Sequence, residues 1–314
     1  MHWDRRLGGR LKLRELNILL ALAQTGSMAK AATRLAISQP AVSRAVADME
    51  HTLGVRLLDR DSQGIEFNRY GRALLKRAVA VFDELGQGIR DIEFLSDPAS
   101  GELHVGSGVA LAEGIVQAVI ERLSLEYPRI AFHIELGDTS AVYDKLRERR
   151  IELGFARVVA RPAESDMHFE VLCKDSLVVV AGRDSPWASR RKIKLADLMN
   201  ERWIWSPPGT IVDSLVRGAF IASALAPPRA CVHTHAAGVW IGLAATGNYV
   251  SVVPASLLRS SARRALVKVL PVEFPGTDQQ IAVVTLQNRT LSPVAEIFIE
   301  YARRVCKQLE RNKS

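Results

Sequence analysis

The sequence predicts an α+β protein with a small N-terminal helical domain, a long connecting helix and a larger α/β region. One indication is a pair of short helices joined by a tight turn, and another is an apolar repeat of 3.5 residues that follows it. The third is a regular alternation of strands and helices over the remaining two thirds of the chain. The 314 residues, 48% of them hydrophobic, suffice for two or three domains. The predicted boundaries are 1–68, 69–97 and 98–314.

The helix pair lies within residues 26–54, after a first helix at 12–24. Gly26 can end that first helix in the left-handed conformation that glycine adopts without strain. Ser27 and Ser38 stand where they can N-cap the two helices of the pair, and Pro40 falls in the first turn of the second helix, where its missing N–H costs least. The pattern therefore predicts a helix, a turn and a second helix over residues 38–52.

The second helix of the pair has one apolar face and one small polar face. The polar face carries one amide, one hydroxyl and one guanidinium near the helix N-terminus, a surface that fits a major groove, and Gln and Arg can read adenine and guanine edges with two hydrogen bonds. We interpret the pair as a helix-turn-helix, the alternative being an ordinary helical hairpin. The apolar face holds Val42, Ala45, Val46, Met49 and Leu53, and the polar face Gln39, Pro40, Ser43, Arg44 and Ala47.

The positive charge is concentrated at the same end of the chain. Residues 1–80 hold 14 Lys and Arg against 7 Asp and Glu, a balance of +7, whereas the whole chain carries +8. The remaining 234 residues are therefore close to neutral. This distribution is typical of a phosphate-binding module attached to a neutral body rather than of a generally basic protein.

Residues 27–60 resemble the DNA-binding domain of the LysR-type transcriptional regulators. The resemblance implies a winged helix-turn-helix, with β-prone pieces at 55–58 and 65–68 forming the wing. It also implies that Gln39, Pro40, Ser43 and Arg44 meet base edges, while Ser27, Ser38 and Arg60 hold phosphates or the groove edge. The matching positions are Gly26, Ser27, Ala31, Ala32, Leu35, Ser38, Gln39, Pro40, Ala41, Val42, Ser43, Glu50, Leu53, Gly54, Leu57 and Arg60.

A long helix is predicted over residues 69–95. Its apolar positions follow a 3.5-residue period, which indicates a coiled-coil seam rather than the broader stripe of a globular helix. In the family this linker helix pairs two subunits, and the alternative is a helix docked on its own domain. Residues 97–101, rich in turn formers, read as a hinge. The seam consists of Leu74, Ala78, Val81, Leu85, Gly88, Ile92 and Leu95.

From Gly101 the pattern reads as a strand–helix–strand–helix–strand unit, followed by a second half that begins in an apolar strand within 171–181. Two α/β lobes crossed twice by the chain enclose a cleft, and such clefts bind small ligands. The family resemblance implies the same architecture, a two-lobed effector domain like the type 2 periplasmic binding proteins. The predicted strands are 103–107, 130–136, 151–155, 230–232, 249–253 and 280–286, and the predicted helices 111–126, 140–150, 212–224, 237–245 and 293–309.

Loop positions at strand ends are the candidates for effector binding. Several precede helices, whose first N–H groups attract anions. Arg157 stands where some aromatic-acid-responsive members of the family carry an arginine, so it is suited to capture a carboxylate, the alternative being a solvated surface arginine. The candidates are Ser107, Val109, Thr139, Ser140, Arg157, Pro208, Thr210 and His235.

No enzyme signature is found in the sequence, and we expect neither catalytic residues nor a cofactor. His233 and His235 form an HxH pair with no third ligand in sequence, so no metal site is predicted. Three widely spaced cysteines, no secretory signal and no long apolar run predict a cytoplasmic protein that does not enter a membrane.

Together these patterns predict a dimeric or tetrameric transcriptional regulator that binds double-stranded DNA. A small effector, a carboxylic acid in one hypothesis, would close the cleft and change DNA bending or contact with RNA polymerase. Two other classes are weighed against it. A cytoplasmic solute-binding protein without a DNA-reading role is disfavoured by the localised basic charge, and an enzyme that uses the cleft by the lack of a paired acid/base motif.

Overall fold

The computed structural model describes residues 11–61, 64–158 and 164–311, which fall into two compact units, Met1–Ile89 and Arg90–Ser314. The division lies inside the predicted linker helix, and the predicted boundaries at 68 and 97 stay predictions. In the described ranges, no helix combines the length and the hydrophobicity that crossing a membrane requires.

The first unit is a three-helix domain with a two-stranded hairpin. Helices α1 (Leu13–Thr25), α2 (Met28–Arg34) and α3 (Gln39–Leu53) are followed by the antiparallel strands β1 (Leu58–Asp61) and β2 (Gly64–Phe67). The predicted helix-turn-helix and the wing are thus present. The core is formed by apolar side chains from all three helices, from the residues around β1 and from the start of the next helix, α4 (Arg69–Ser96).

The helix ends in this unit agree with the predicted backbone but not with the predicted caps. Gly26 and Gly54 end α1 and α3 with φ of 66° and 69°, the left-handed region in which glycine is unstrained. Ser27 and Ser38 occupy the N-cap positions of α2 and α3 in extended conformation, yet neither hydroxyl makes the capping hydrogen bond. Both serines are thus N-caps by position, and their carbonyls accept the first helical hydrogen bonds, but the predicted side-chain caps are not formed.

Helix α4 buries only the beginning of its apolar seam. Ala78 is buried and Leu74 packs against the core of the first unit. Farther along, Leu85, Ile92 and Leu95 are exposed by 47%, 66% and 80%. A regular apolar stripe that stays in solvent is typical of a surface that pairs with another helix.

The second unit contains two five-stranded sheets, one in each lobe. The first sheet has the order β4-β3-β5-β12-β6, with β3, β4 and β5 parallel and β12 antiparallel to both its neighbours. The second has the order β11-β7-β10-β8-β9. The strands are β3 (Ser100–Ser107), β4 (Arg129–Leu136), β5 (Leu153–Val158), β6 (Met167–Asp175), β7 (Leu177–Gly182), β8 (Trp203–Trp205), β9 (Val232–His233), β10 (Val250–Pro254), β11 (Val267–Val269) and β12 (Gln279–Leu286).

Helices pack against both sheets, and each lobe has its own main apolar core. The first lobe packs side chains of the long helix after β3 and of the C-terminal helix against its sheet, and the second lobe is centred on buried Trp203, Trp205 and Phe220. The helix after β3 contains a π-helical turn at Ala112–Val116. The helices are α5 (Val109–Leu111), α6 (Gln117–Glu126), α7 (Thr139–Arg147), α8 (Ile211–Ala222), α9 (Ala237–Ala245), α10 (Ser261–Leu266) and α11 (Pro293–Arg311), with 3₁₀ turns at Leu195–Leu198 and Ala255–Arg259.

The chain crosses between the lobes twice, as predicted, and the first crossing falls inside 171–181, the segment predicted to contain a strand that leads into the second half. The apolar run over 171–181 is divided between β6 in the first sheet and β7 in the second, with Ser176 between them. The second crossing joins β11 to β12. Each lobe therefore forms one side of the cleft.

Candidate nucleic-acid interface and interlobe cleft

The polar face of α3 is the candidate DNA-reading surface. Gln39, Pro40 and Arg44 are exposed and Ser43 is half-buried, while Val42, Val46 and Met49 on the opposite side are buried in the domain core. The helix is thus anchored by one flank and presents the other to solvent. An exposed helix flank with an amide and a guanidinium near its N-terminus can enter a major groove and meet base edges.

The wing is held by a residue to which the sequence analysis assigned no role. The carboxylate of Glu50 in α3 accepts hydrogen bonds from the backbone N–H groups of Leu57 and Leu58, at 2.7 and 3.3 Å. Leu57 is buried, so the chain that leads into β1 is fixed against the recognition helix. Glu50 is one of the positions at which the sequence matches the family, and that match was the only indication of its role in the sequence analysis.

Gly71 and Asn68 fix the other end of the wing. A Cβ atom at position 71 would lie 2.1 Å from the carbonyl oxygen of Leu57, so only glycine permits this approach of α4 to the chain before β1. The side chain of Asn68 accepts hydrogen bonds from the N–H groups of Tyr70 and Gly71 at 2.9 and 3.0 Å and thereby caps α4. The hairpin is consequently held at both ends.

The remaining predicted DNA contacts have mixed accessibility. Ser27 is half-buried and Ser38 is exposed, so both hydroxyls lie near the surface of the unit. Arg60 lies in β1 opposite Ile65, but its side chain lies outside the described residues. Basic residues that are exposed elsewhere on the described part of this unit are Lys12, Arg14, Lys30, Arg34, Arg56, Arg69, Arg72, Lys76 and Arg77.

The cleft of the second unit is a cavity of about 560 Å³ lined from both lobes. A cavity of this volume accommodates a small organic molecule. Of the predicted effector-binding residues, Val109, Thr139, Ser140, Arg157, Thr210 and His235 line it. The sequence analysis missed Asp138, Ser206 and Trp240, which line it as well.

Two predicted residues do not line the cavity. Ser107 is completely buried because it continues the inward-facing alternation of Leu103 and Val105 along β3, and its hydroxyl donates to the Gly108 carbonyl at 3.1 Å. Pro208 is exposed in the turn before α8, outside the cavity lining. The prediction placed both correctly along the chain but could not give the direction of their side chains.

The two helix N-termini at the cleft are already capped from within the protein. Asp138, not Thr139, is the N-cap of α7, and its carboxylate accepts from the Ala141 N–H and from the Ser140 hydroxyl, both at 2.8 Å. The Ala141 N–H holds the pKa of Asp138 below its usual value, so the group stays ionised. A carboxylate of the protein thus already accepts a hydrogen bond from this helix end, and contact of Thr139 and Ser140 with an effector stays a prediction.

Thr210 acts as a plain cap of α8. Its hydroxyl oxygen accepts from the Asp213 N–H at 3.1 Å, and its O–H donates to the Pro207 carbonyl at 2.8 Å. Both capacities of the hydroxyl are used within the turn. The Thr210 contribution to the cleft is therefore mainly its methyl group and its backbone.

Arg157 is buried rather than solvated. One of its nitrogens, Nη2, lies 3.0 Å from Oδ2 of Asp175, and the two side chains are only 8% and 2% exposed. The other nitrogen, Nη1, is buried without a hydrogen-bond partner among the described residues. Asp175 therefore balances the charge of the guanidinium at the cleft, and Nη1 is the donor that has no acceptor among the described residues.

Trp240 supplies a second donor of the same kind. Its Nε1 is buried and likewise has no acceptor in the part of the chain that the structure describes. A buried N–H without an acceptor costs free energy that a ligand can restore. Arg157 and Trp240 line the cleft from opposite lobes, and each has a buried donor without an acceptor among the described residues.

Known proteins resemble both parts of the chain. The family model of the LysR substrate binding domain matches residues 96–307, and that of the bacterial regulatory helix-turn-helix protein, lysR family, matches residues 13–72. The uncharacterized HTH-type transcriptional regulator YybE of Bacillus subtilis is 29% identical over 91% of this chain and 96% of its own length. The transcriptional dual regulator GltC of the same organism is 25% identical over 96% and 99%.

Solved structures share the fold. A full-length variant of OxyR from Pseudomonas aeruginosa superposes with a TM-score of 0.66 at 22% identity, covering 93% of this chain and 97% of that one. Full-length CbnR in complex with its target DNA gives a TM-score of 0.63 at 23% identity, covering 94% and 100%. At this identity the likeness concerns the order and arrangement of the elements.

Proposed function

Because the chain belongs to the LysR family of bacterial transcriptional regulators, we propose that α3 reads the sequence of its operator. In this proposal Gln39, Pro40, Ser43 and Arg44 meet base edges in the major groove, and Ser27, Ser38 and Arg60 hold phosphates or the groove edge. The supporting observation is the orientation of α3, which buries Val42, Val46 and Met49 and exposes Gln39 and Arg44. The concentration of positive charge in residues 1–80 supplies the nonspecific attraction.

The proposed assembly is a homodimer, or a homotetramer built from dimers. The exposed apolar stripe of α4, with Leu85, Ile92 and Leu95, is the surface that a second copy would cover. Two reading helices on a twofold axis require half-sites about 34–36 Å apart along the duplex, or a multiple of that distance. We expect the regulator to act on chromosomal DNA in the cytoplasm, where RNA polymerase is a further candidate partner.

The experiment that tests DNA reading is footprinting of the purified full chain on the DNA upstream of its own gene. We expect protection of an imperfect palindrome with half-sites on one face of the duplex, which survives excess nonspecific competitor DNA. Equal retention of the upstream fragment and of a shuffled sequence of the same composition would reject sequence-specific reading. Random-sequence selection of duplexes provides a second trial that does not depend on the choice of promoter.

The proposed effector is a small carboxylic acid bound in the cavity between the lobes. Its carboxylate would accept hydrogen bonds from Nη1 of Arg157 and Nε1 of Trp240, the two buried donors. Asp138 on the wall of the same cavity favours a molecule that also carries a hydrogen-bond donor, such as a hydroxyl or an amine. Contacts to both lobes would stabilise one relative placement of the lobes, and the ligand would thereby shift the population of conformations.

Replacement of Trp240 by phenylalanine tests this assignment, because it removes the indole N–H and keeps an aromatic ring in the apolar core. We expect the affinity for a stabilising acid found in a thermal-shift screen to fall by about 0.5–1.5 kcal/mol, the usual value of one hydrogen bond. The unliganded variant should be less stable than the wild type, because the smaller ring leaves a cavity at this buried position, so the affinity for the acid is the quantity to compare. Titration calorimetry of both proteins measures the difference.

Trp187→Phe, a change to a tryptophan that does not line the cleft, is the matched control and should leave the affinity unchanged. Equal loss in the control and in Trp240→Phe would show that the effect is general. Undiminished binding in Trp240→Phe would remove the indole from the site.

A further inference from the structure

A second polar cluster lies in the first lobe, on two neighbouring strands and apart from the residues that line the cleft. His104 in β3 and His133 in β4 are direct partners in the parallel register of the two strands. Glu102 precedes His104 by two positions, and because side chains alternate along a strand, both project from the same face of the sheet. The opposite face carries Leu103 and Val105, which are buried in the core of the lobe.

The three side chains converge. The imidazole rings of His104 and His133 are stacked, with centroids 4.3 Å apart and planes inclined by 10°. One potential ligand atom from each of Glu102, His104 and His133 lies within 4.8 Å of those from the other two. A tetrahedral ion with bonds of about 2.0–2.1 Å holds its donor atoms about 3.3 Å apart, so binding requires the two rings to turn out of their stack until a lone pair of each points at the ion.

The cluster is accessible and its chemistry suits a transition metal. Glu102 and His133 are exposed and His104 is half-buried, so an ion can reach them without a change of backbone. Two imidazoles and one carboxylate are a ligand set of open zinc sites, in which water completes the coordination.

The neighbouring carboxylate Glu135 is paired with basic residues and is not counted among the proposed ligands. Glu135, two residues beyond His133, lies 3.0 Å from Lys145 and 3.2 Å from Arg150, and is thus engaged with cations on its own side. The nearby positive charge of Arg90 opposes a cation, whereas Glu102 and Glu135 favour one. Glu102 is therefore the carboxylate that we group with the two imidazole rings.

We propose that Glu102, His104 and His133 bind one divalent transition-metal ion of the Zn²⁺ class on the outer face of the first-lobe sheet. The ion ties β3 to β4, the two strands whose following residues, Gly108 and Gly137, line the cleft. Since the ion binds the folded arrangement of the two strands, it stabilises the second unit by a free energy that rises with the logarithm of the ion concentration above the Kd.

The test uses the tag-free full chain after treatment with a chelator. Titration calorimetry with Zn²⁺ should show one saturable site per chain, with a rise in the melting temperature of the second unit. His104→Ala, His133→Ala and Glu102→Gln should each lose this saturable binding. His168→Ala is the matched control, because His168 is an exposed histidine on β6 of the same sheet and lies outside the cluster, and it should bind as the wild type does.

Cys231 is an exposed thiol and a competing zinc ligand, so all variants are also prepared in a Cys231→Ser background. Co²⁺ absorption spectra of the wild type should show a nitrogen- and oxygen-ligated ion without a thiolate charge-transfer band. Zn²⁺ binding that is unchanged in the His104→Ala/His133→Ala double variant would overturn the proposal, as would the lack of any saturable site in the wild type. Circular dichroism of the variants separates loss of ligands from loss of fold.

Discussion

Replacing Asp175 by alanine is expected to lower the free energy of unfolding of the second unit by about 3–5 kcal/mol, the usual result when one partner of a buried ion pair is removed. Arg157 would keep its charge in a site where it is only 8% exposed. Ser256 would also lose the acceptor of both its backbone N–H and its hydroxyl, which now lie 3.0 and 2.7 Å from the carboxylate. No other carboxylate shares hydrogen bonds with these donors among the described residues.

Urea denaturation followed by tryptophan fluorescence measures this loss, because Trp187, Trp203, Trp205 and Trp240 all belong to the second unit. Two variants provide the comparison. Ser256→Ala removes only the hydroxyl and should cost about 0.5–1.5 kcal/mol. The double variant Arg157→Met/Asp175→Asn removes both charges and keeps an acceptor for Ser256, so it should recover most of the loss. A loss in Asp175→Ala no larger than that in Ser256→Ala would show that the ion pair is not what stabilises this region.

The position of this ion pair gives it a role beyond stability. Arg157 belongs to β5 in the first lobe, Asp175 is the last residue of β6 before the chain crosses, and Ser256 lies in the 3₁₀ turn of the second lobe. A single carboxylate thus connects both lobes at the crossing. A ligand that accepts a hydrogen bond from Nη1 of Arg157 would act on a side chain that is already joined to this crossing, which is a direct route from the cleft to the arrangement of the lobes.

The sequence could not reveal this connection, because its members are 18 and 81 residues apart. Arg157 alone was compatible with a solvated surface position or with capture of a carboxylate from a ligand. The structure adds a third arrangement, in which the carboxylate comes from the protein itself. Long-range polar contacts of this kind leave no periodic pattern, and they are the part of a site that sequence reasoning misses most readily.

Local patterns, by contrast, predicted the helices well. The apolar stripe of α3 and the left-handed conformation of Gly26 depend on residues close in sequence, and the structure has both. The strands were harder. Within 171–181 the polar residues Lys174, Asp175 and Ser176 mark the end of β6 and the start of β7. A local pattern does not show, however, that the two consecutive strands belong to different sheets.

Short strands were missed for a related reason. Strands β8 and β11 have three residues each, too few for an alternating pattern to emerge. At the cleft, Thr139 and Ser140 at the start of α7 were predicted to contact the effector. Asp138, one position earlier, caps this helix and places a carboxylate there. Ser107 does lie at the end of its strand, but its side chain points into the core and not into the cleft. Side chains alternate along a strand, so a shift of one residue changes the face on which a side chain lies.

Replacing Arg44 by alanine is expected to weaken binding to the specific operator by about 1–3 kcal/mol for each half-site, the value of a base contact with two hydrogen bonds. For a dimer that occupies both half-sites the loss is roughly 2–6 kcal/mol. The side chain is exposed on the polar face of α3 and belongs to a helix whose other face is fixed in the core. Its removal should therefore leave the fold intact and change only what the helix can recognise.

Two further variants distinguish base reading from charge. Arg44→Lys keeps the positive charge but not the planar pair of donors, so it should retain nonspecific affinity and lose preference for the operator. Arg34→Ala removes an exposed cation from α2, away from the reading face, and should weaken operator and nonspecific DNA alike. Fluorescence anisotropy at a fixed salt concentration, with operator and shuffled duplexes, measures all of these differences. A uniform loss for Arg44→Ala on both duplexes would assign Arg44 to the phosphates and leave base recognition to Gln39 and Ser43.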